Sequence, residues 1–121
     1  ALGHTFAKVR ISNPVLSSNY LDLELLVDTG STYTWVDRRS LERIGVKPMT
    51  TYRFKTIDNR MVEREIGEAV IECMGERVTT IVVFAREGDA EVLGAYSLEG
   101  LRLEVDPVTK QLRKVEALLA L

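Results

Sequence analysis

Leu25-Leu26-Val27-Asp28-Thr29-Gly30-Ser31 is an apolar run that ends abruptly in Asp-Thr-Gly and a hydroxyl residue. Such a run carries one carboxylate out of a core strand and into a tight turn. Gly30 permits a positive φ or a close backbone approach there, and the small neighbours leave the carboxylate uncovered. The commonest role of an Asp after a strand is to cap its own turn. The rest of the chain decides whether Asp28 does more.

Upstream, Thr5 to Ile11 alternates as a short strand, and Asn13-Pro14 with Ser17-Ser18-Asn19 marks a turn before a strand from Tyr20 to Val27. Downstream, Tyr33 to Val36 resumes extended structure with Trp35 packed. Asp37 is an N-cap for a short helix from Arg38 to Ile44, with Leu41 and Ile44 on one face and Gly45 ending it. Thr51 to Ile57 and Met61 to Ile66 form two arms of a hairpin turning at Asp58-Asn59-Arg60. Gly67 to Met74 and Arg77 to Phe84 form a second, turning at Gly75-Glu76, and Arg86 to Ala90 is a polar loop.

Glu91-Val92-Leu93-Gly94 is another apolar strand that ends in Gly, and Ala95 to Leu101 reads as a helical turn or two. Leu103 to Val105 then pairs with Gln111 to Val115 across Asp106-Pro107-Val108-Thr109-Lys110. Residues 1–121 read as a single, mainly β domain with one or two short helices. Its core covers about residues 5–105, with a C-terminal hairpin and tail over 103–121. A closed barrel is the natural way to bury so many short strands.

Composition narrows the function classes. A chain of 121 residues can bury a core but is too small for a two-lobed enzyme. A net charge of -2, with no basic stripe, gives no reason to expect nucleic acid. The longest apolar stretches are strand-length, so no membrane span is expected, and Ala1-Leu2-Gly3-His4 has no secretory character. Cys73 is the single cysteine, which fits a reducing cytosol, and its neighbours suggest a buried strand thiol. His4 is the single histidine, so a histidine-rich metal site or a His-assisted nucleophile is not expected. Hydrolytic chemistry would have to run on carboxylates.

Two strand-to-Gly segments stand out: Leu26-Val27-Asp28-Thr29-Gly30, and Val92-Leu93-Gly94 followed by a helix. This pairing resembles the retropepsin-like aspartic proteases, whose second signature is two aliphatic residues and a Gly packed behind the active-site turn. Residues 91 to 115, with Leu-Gly-Ala, Ser-Leu-Glu-Gly-Leu and Leu-Glu-Val-Asp-Pro-Val-Thr, are similar to the C-terminal part of small prokaryotic and archaeal members. The resemblance covers roughly residues 20 to 115. It implies a retropepsin-like closed β-barrel and aspartic endopeptidase activity on an extended polypeptide, with no metal and no cofactor.

With one Asp-Thr-Gly per chain, both catalytic carboxylates must be Asp28, one from each subunit of a homodimer. Two carboxylates about 3 Å apart cannot both ionise and share one proton. The resemblance further implies that Thr29 reaches across the dimer axis and Gly30 lets backbone approach the site. Ser31 is placed to hydrogen-bond the Asp28 carboxylate, and Val92, Leu93 and Gly94 back the turn. The hairpin tip at Asp58, Asn59 and Arg60, flanked by Ile57 and Met61, sits where the family places its flap. The viral flap is Gly-rich, whereas this tip is charged and has no Gly. The apolar tail Leu118-Leu119-Ala120-Leu121 is a candidate for the dimer sheet.

Two other classes compete. Leu26 to Val36 also looks like the first phosphate motif of sugar kinases and actin-like ATPases, but that fold needs a second phosphate loop and another lobe. A retropepsin-like barrel could also dimerise or bind peptide without cleaving it. Elsewhere Asp37 and Asp106 read as cap and turn residues. Asp22, Asp58 and Asp89 read as solvated, and Trp35 and Tyr96 as packing residues.

Overall fold

A computed structural model of the chain describes residues 4–116; the Leu118–Leu121 tail and Ala1 to Gly3 lie outside the described residues. Among the described residues strand accounts for 50% and helix for 12%, so the structure is mainly β with two short helices. The strands are β1 (Phe6–Ser12), β2 (Tyr20–Val27), β3 (Thr34–Asp37), β4 (Thr50–Lys55), β5 (Met61–Cys73), β6 (Glu76–Ala85), β7 (Val92–Leu93), β8 (Leu103–Val105) and β9 (Leu112–Lys114). Helix α1 is Arg38–Arg43 and α2 is Ala95–Leu101.

Seven strands form one sheet in the order β1-β2-β7-β3-β6-β5-β4, and a further pairing of β1 with β5 closes it into a ring. Strand β4 hangs outside the ring as an arm of the β4–β5 hairpin, in register from Thr50↔Ile66 to Lys55↔Met61. Strands β8 and β9 make a separate two-stranded ribbon. Alternation drives the ring: on β1, Ala7, Val9 and Ile11 are buried while Phe6, Lys8 and Arg10 are not. Those inward residues join Leu25, Val36, Ile71, Val82, Phe84, Leu93, Leu98 and Leu101 in one core. Among the described residues no helix is long and apolar enough to cross a membrane.

Helix α1 starts as its sequence predicts. The Asp37 carboxylate accepts the Arg39 N–H at 2.8 Å, and Gly45 follows the helix at φ +77°. Two expectations about the strands need correction. Residues 61–66 and 67–74 are not two strands but one, the 13-residue β5, which pairs with β4 and then with β6. Gly67 marks a close approach inside that strand, where a Cβ would lie 2.8 Å from the Lys47 carbonyl oxygen. The second hairpin turns at Met74-Gly75 and not Gly75-Glu76, both residues taking positive φ.

Asp89 is not solvated. Its carboxylate takes two hydrogen bonds from the Arg64 guanidinium, at 2.7 and 3.0 Å, and one from the Arg86 N–H at 2.9 Å. The Arg64 bonds, helped by Arg86, outweigh burial and hold the Asp89 carboxyl below the usual carboxylate range. A carboxyl with a lowered folded pKa stabilises the fold above its unfolded value of about 3.9, and that contribution is lost as pH falls through the folded value. Asp89→Asn is therefore expected to cost about 1–3 kcal/mol at pH 7. The difference from the parent should shrink below about pH 4, as read from urea unfolding at the two pH values.

The Ser12 hydroxyl is buried at the end of β1 and has no hydrogen-bond partner among the described residues. Removing a buried, unpartnered hydroxyl relieves a desolvation cost. Ser12→Ala should leave stability unchanged or raise it by up to about 1 kcal/mol, measured by denaturant unfolding.

Candidate active site

Strands β2 and β7 run parallel, with Leu26 opposite Val92 and Val27 opposite Leu93, and they end side by side. The two strand-to-Gly segments therefore deliver their turns to one place. The Asp28 N–H donates to the Leu93 carbonyl at 3.0 Å, continuing the pairing one residue into the turn. The Gly30 N–H donates to Asp28 Oδ1 at 2.9 Å. That bond fixes one carboxylate oxygen, and the side chain stays half-buried beside exposed Thr29 and Gly30.

The turns are also locked from behind. The first N–H groups of a helix have no partner within it. In α2 the Ala95 N–H donates to the Ser31 carbonyl at 2.7 Å and the Tyr96 N–H to the Thr32 carbonyl at 3.0 Å. Gly94 makes this approach possible: a Cβ there would fall 2.2 Å from the Tyr33 carbonyl oxygen. Thr34 Oγ1 accepts the Gly94 N–H at 3.0 Å and shares a 2.6 Å hydrogen bond with Ser97 Oγ, both hydroxyls being fully buried. Val92, Leu93 and Gly94 are buried behind the turn.

Ser31 departs from expectation. Its hydroxyl donates to the Tyr33 carbonyl at 2.9 Å and not to Asp28. A short hydroxyl side chain readily bonds backbone two residues on, and here that closes the turn onto β3. Gly30 is not at positive φ; a Cβ there would stand 3.3 Å from Asp28 Oδ1, so close approach to the carboxylate is the reason for glycine.

The hairpin tip is braced despite its lack of glycine. Thr56 N–H donates to the Arg60 carbonyl at 2.8 Å, Asn59 takes φ +67°, and the Arg60 guanidinium pairs with Asp58 at 2.9 Å. Ile57 is fully exposed on this tip and Met61 is half exposed. Along the same hairpin, Tyr52 and Phe54 share one face of β4 and meet Trp35 of β3 and Tyr33 just before it. Phe54 lies 5.0 Å from Trp35, centroid to centroid, and Tyr52 lies 5.9 Å from Tyr33. Tyr96 of α2 stands edge-on to Tyr33 at 5.5 Å.

None of these five rings is fully buried, so they form an aromatic wall and not a core. Burial still raises the Tyr33 phenol above its ordinary pKa. Trp35 packs on Phe54 and Tyr96 on Tyr33, as expected of packing residues. The spacing Tyr52-x-Phe54 puts that pair on one face of β4, and Tyr33 stands two residues before Trp35 at the entry to β3, a signal present in the sequence.

Cys73 is buried, and burial raises its thiol above the ordinary value, away from nucleophilic reactivity. Among the described residues no three His, Cys, Asp or Glu side chains group so as to hold a metal ion. Asp28 is the one acid on this turn, and it borders a groove shared with Thr5, just before β1. No protein-family model and no curated protein matches this chain.

Proposed function

We propose that the chain is one half of a homodimeric, retropepsin-like aspartic endopeptidase, with its ring of strands as the acid-protease barrel. The observation that carries the reading is the interlock of Asp-Thr-Gly with Leu93-Gly94. A carboxylate with one oxygen fixed by the Gly30 N–H is held rigidly by two strand ends and the start of a helix. A turn cap alone does not call for that scaffold.

In the dimer the two Asp28 carboxylates share one proton. The ionised one takes a proton from a water that attacks the scissile carbonyl, and the protonated one donates to the carbonyl oxygen as charge develops. Exposed Thr29 is free to brace the partner's turn. The β4–β5 hairpin covers an extended polypeptide, with Ile57 and Met61 contacting it from the tip and Asp58, Asn59 and Arg60 holding the tip's shape. The aromatic wall takes apolar side chains, while substrate main chain adds to strand edges. No metal or cofactor enters this scheme, and a reducing, cytoplasmic setting suits the lone buried Cys73.

The test is turnover of an unstructured protein. Cleavage should occur without added metal or nucleotide, be blocked by a statine-type inhibitor, and fall faster than linearly on dilution of the chain. Peptide binding without cleavage would favour the non-catalytic module, and an ATP-dependent thermal shift would favour the phosphate-motif reading.

A further inference from the structure

Strand β1 is paired unevenly. Its whole length, Phe6 to Ser12, lies against β2, but only Arg10 to Ser12 lies against β5. The Thr5 carbonyl accepts the Val27 N–H at 2.7 Å, so the odd-numbered residues of β1 turn their main-chain groups toward β2. The N–H and C=O groups of Phe6 and Lys8 point the other way, where no strand among the described residues pairs with them. A short stretch of bare sheet edge is left in the side of the ring.

A groove of about 610 Å³ borders this edge, walled also by Cys73 and Met74 at the end of β5 and by Thr109 to Leu112. Ala7 and Cys73 are buried and Leu112 is half-buried, which gives an apolar floor. Phe6 and Met74 stand on the rim, 50% and 47% exposed. Lys8 and Lys110 make the groove positive, and among the described residues no Asp or Glu lines it. Farther along β1 the sign changes. Asp22, Glu24 and Glu72 line the adjoining groove, where Asp22 is taken up by Arg10 at 2.8 Å.

We propose that this edge takes an extended strand of a partner protein in which acidic residues alternate with apolar ones. The guest's main chain pairs with the free groups of Phe6 and Lys8 and continues the line that β5 leaves at Cys73. Side chains of a strand alternate between two faces. Those on the inner face meet Ala7, Cys73 and Leu112 and are apolar. Those on the outer face stand beside exposed Lys8 and are acidic. Main-chain pairing holds any sequence, so the two lysines without an acid beside them set the choice of guest. Asp28 takes no part in this contact, which stands or falls apart from the protease reading.

The experiment combines fluorescence anisotropy with amide hydrogen exchange on the full chain. The probes are fluorescein-labelled Val-Glu-Val-Glu-Val-amide, its Val-Lys-Val-Lys-Val counterpart, and the acidic peptide N-methylated along its main chain. The acidic peptide should bind and slow exchange at the Phe6 and Lys8 amides, leaving Ala7 and Val9, already bonded to β2, as they were. The lysine peptide should bind about tenfold more weakly or worse, and the N-methylated peptide should not bind. Lys8→Glu combined with Lys110→Glu should reverse the preference. Lys47→Glu, on an exposed lysine outside the groove, should leave it unchanged. Circular dichroism should be the same for all three proteins. No binding of the acidic peptide at about 1 mM, equal affinity for the two charge types, or binding without protection of Phe6 and Lys8 overturns the docking edge. Binding that survives the double reversal puts the peptide elsewhere, the Asp28 site included, and overturns it as well. Slow exchange at both amides in the free chain also overturns it, because the chain itself would then fill the groove.

Discussion

Asp28→Asn should lower the rate of peptide cleavage by about 10⁴-fold, to background, because it removes both the general base and the general acid at once. Asn has the same shape and keeps an oxygen to accept the Gly30 N–H, now 2.9 Å from Asp28 Oδ1. The side chain is half-buried and has no ion-pair partner among the described residues, so the fold loses little. The thermal midpoint and the sedimentation coefficient should therefore match the parent. Loss of cleavage with fold and dimer retained assigns the chemistry to this carboxylate. Undiminished turnover removes Asp28 from the mechanism.

Gly94→Ala should be the most damaging small substitution in the chain. Its Cβ would lie 2.2 and 2.5 Å from the carbonyl oxygen and carbon of Tyr33, and 2.9 Å from the Ser31 carbonyl oxygen. All three are backbone atoms, and the Ser31 oxygen is already bonded to the Ala95 N–H. Relief requires α2 to separate from the Asp28 turn, breaking the interlock and leaving the buried Thr34 and Ser97 hydroxyls poorly matched. The expected cost is about 3 kcal/mol, or a fall of roughly 10 °C in Tm. Activity should be lost even at temperatures where the variant remains folded. By contrast, the atoms nearest a Cβ on Gly100 belong to the Val78 side chain and not to backbone.

Much of the site was legible in the sequence because its signals are local. The apolar run into Asp-Thr-Gly, the short strand into Gly94 and the Asp37 cap each rest on a few adjacent residues, and the structure has strands and a helix where they predict them. Positions that depend on distant partners were not legible. Gly67 reads as a break, yet it lies within β5 because Lys47 backbone crosses close to it. The Met74-Gly75 turn needs a positive φ at a methionine, which propensity argues against. Asp89 reads as solvated because Arg64, its partner, is 25 residues away. Ser31 could serve either Asp28 or its own following backbone, and local geometry favours the latter. The aromatic wall was half legible: each strand shows its own alternation, but only the folding of β4 over β3 makes one surface of the two.

The most direct measurement is a crystal structure of the chain in its solution assembly. The expected result is a two-fold dimer with the two Asp28 carboxylates about 3 Å apart across the axis. A monomer, or a dimer that leaves each Asp28 on a separate face, would contradict an active site built from two chains.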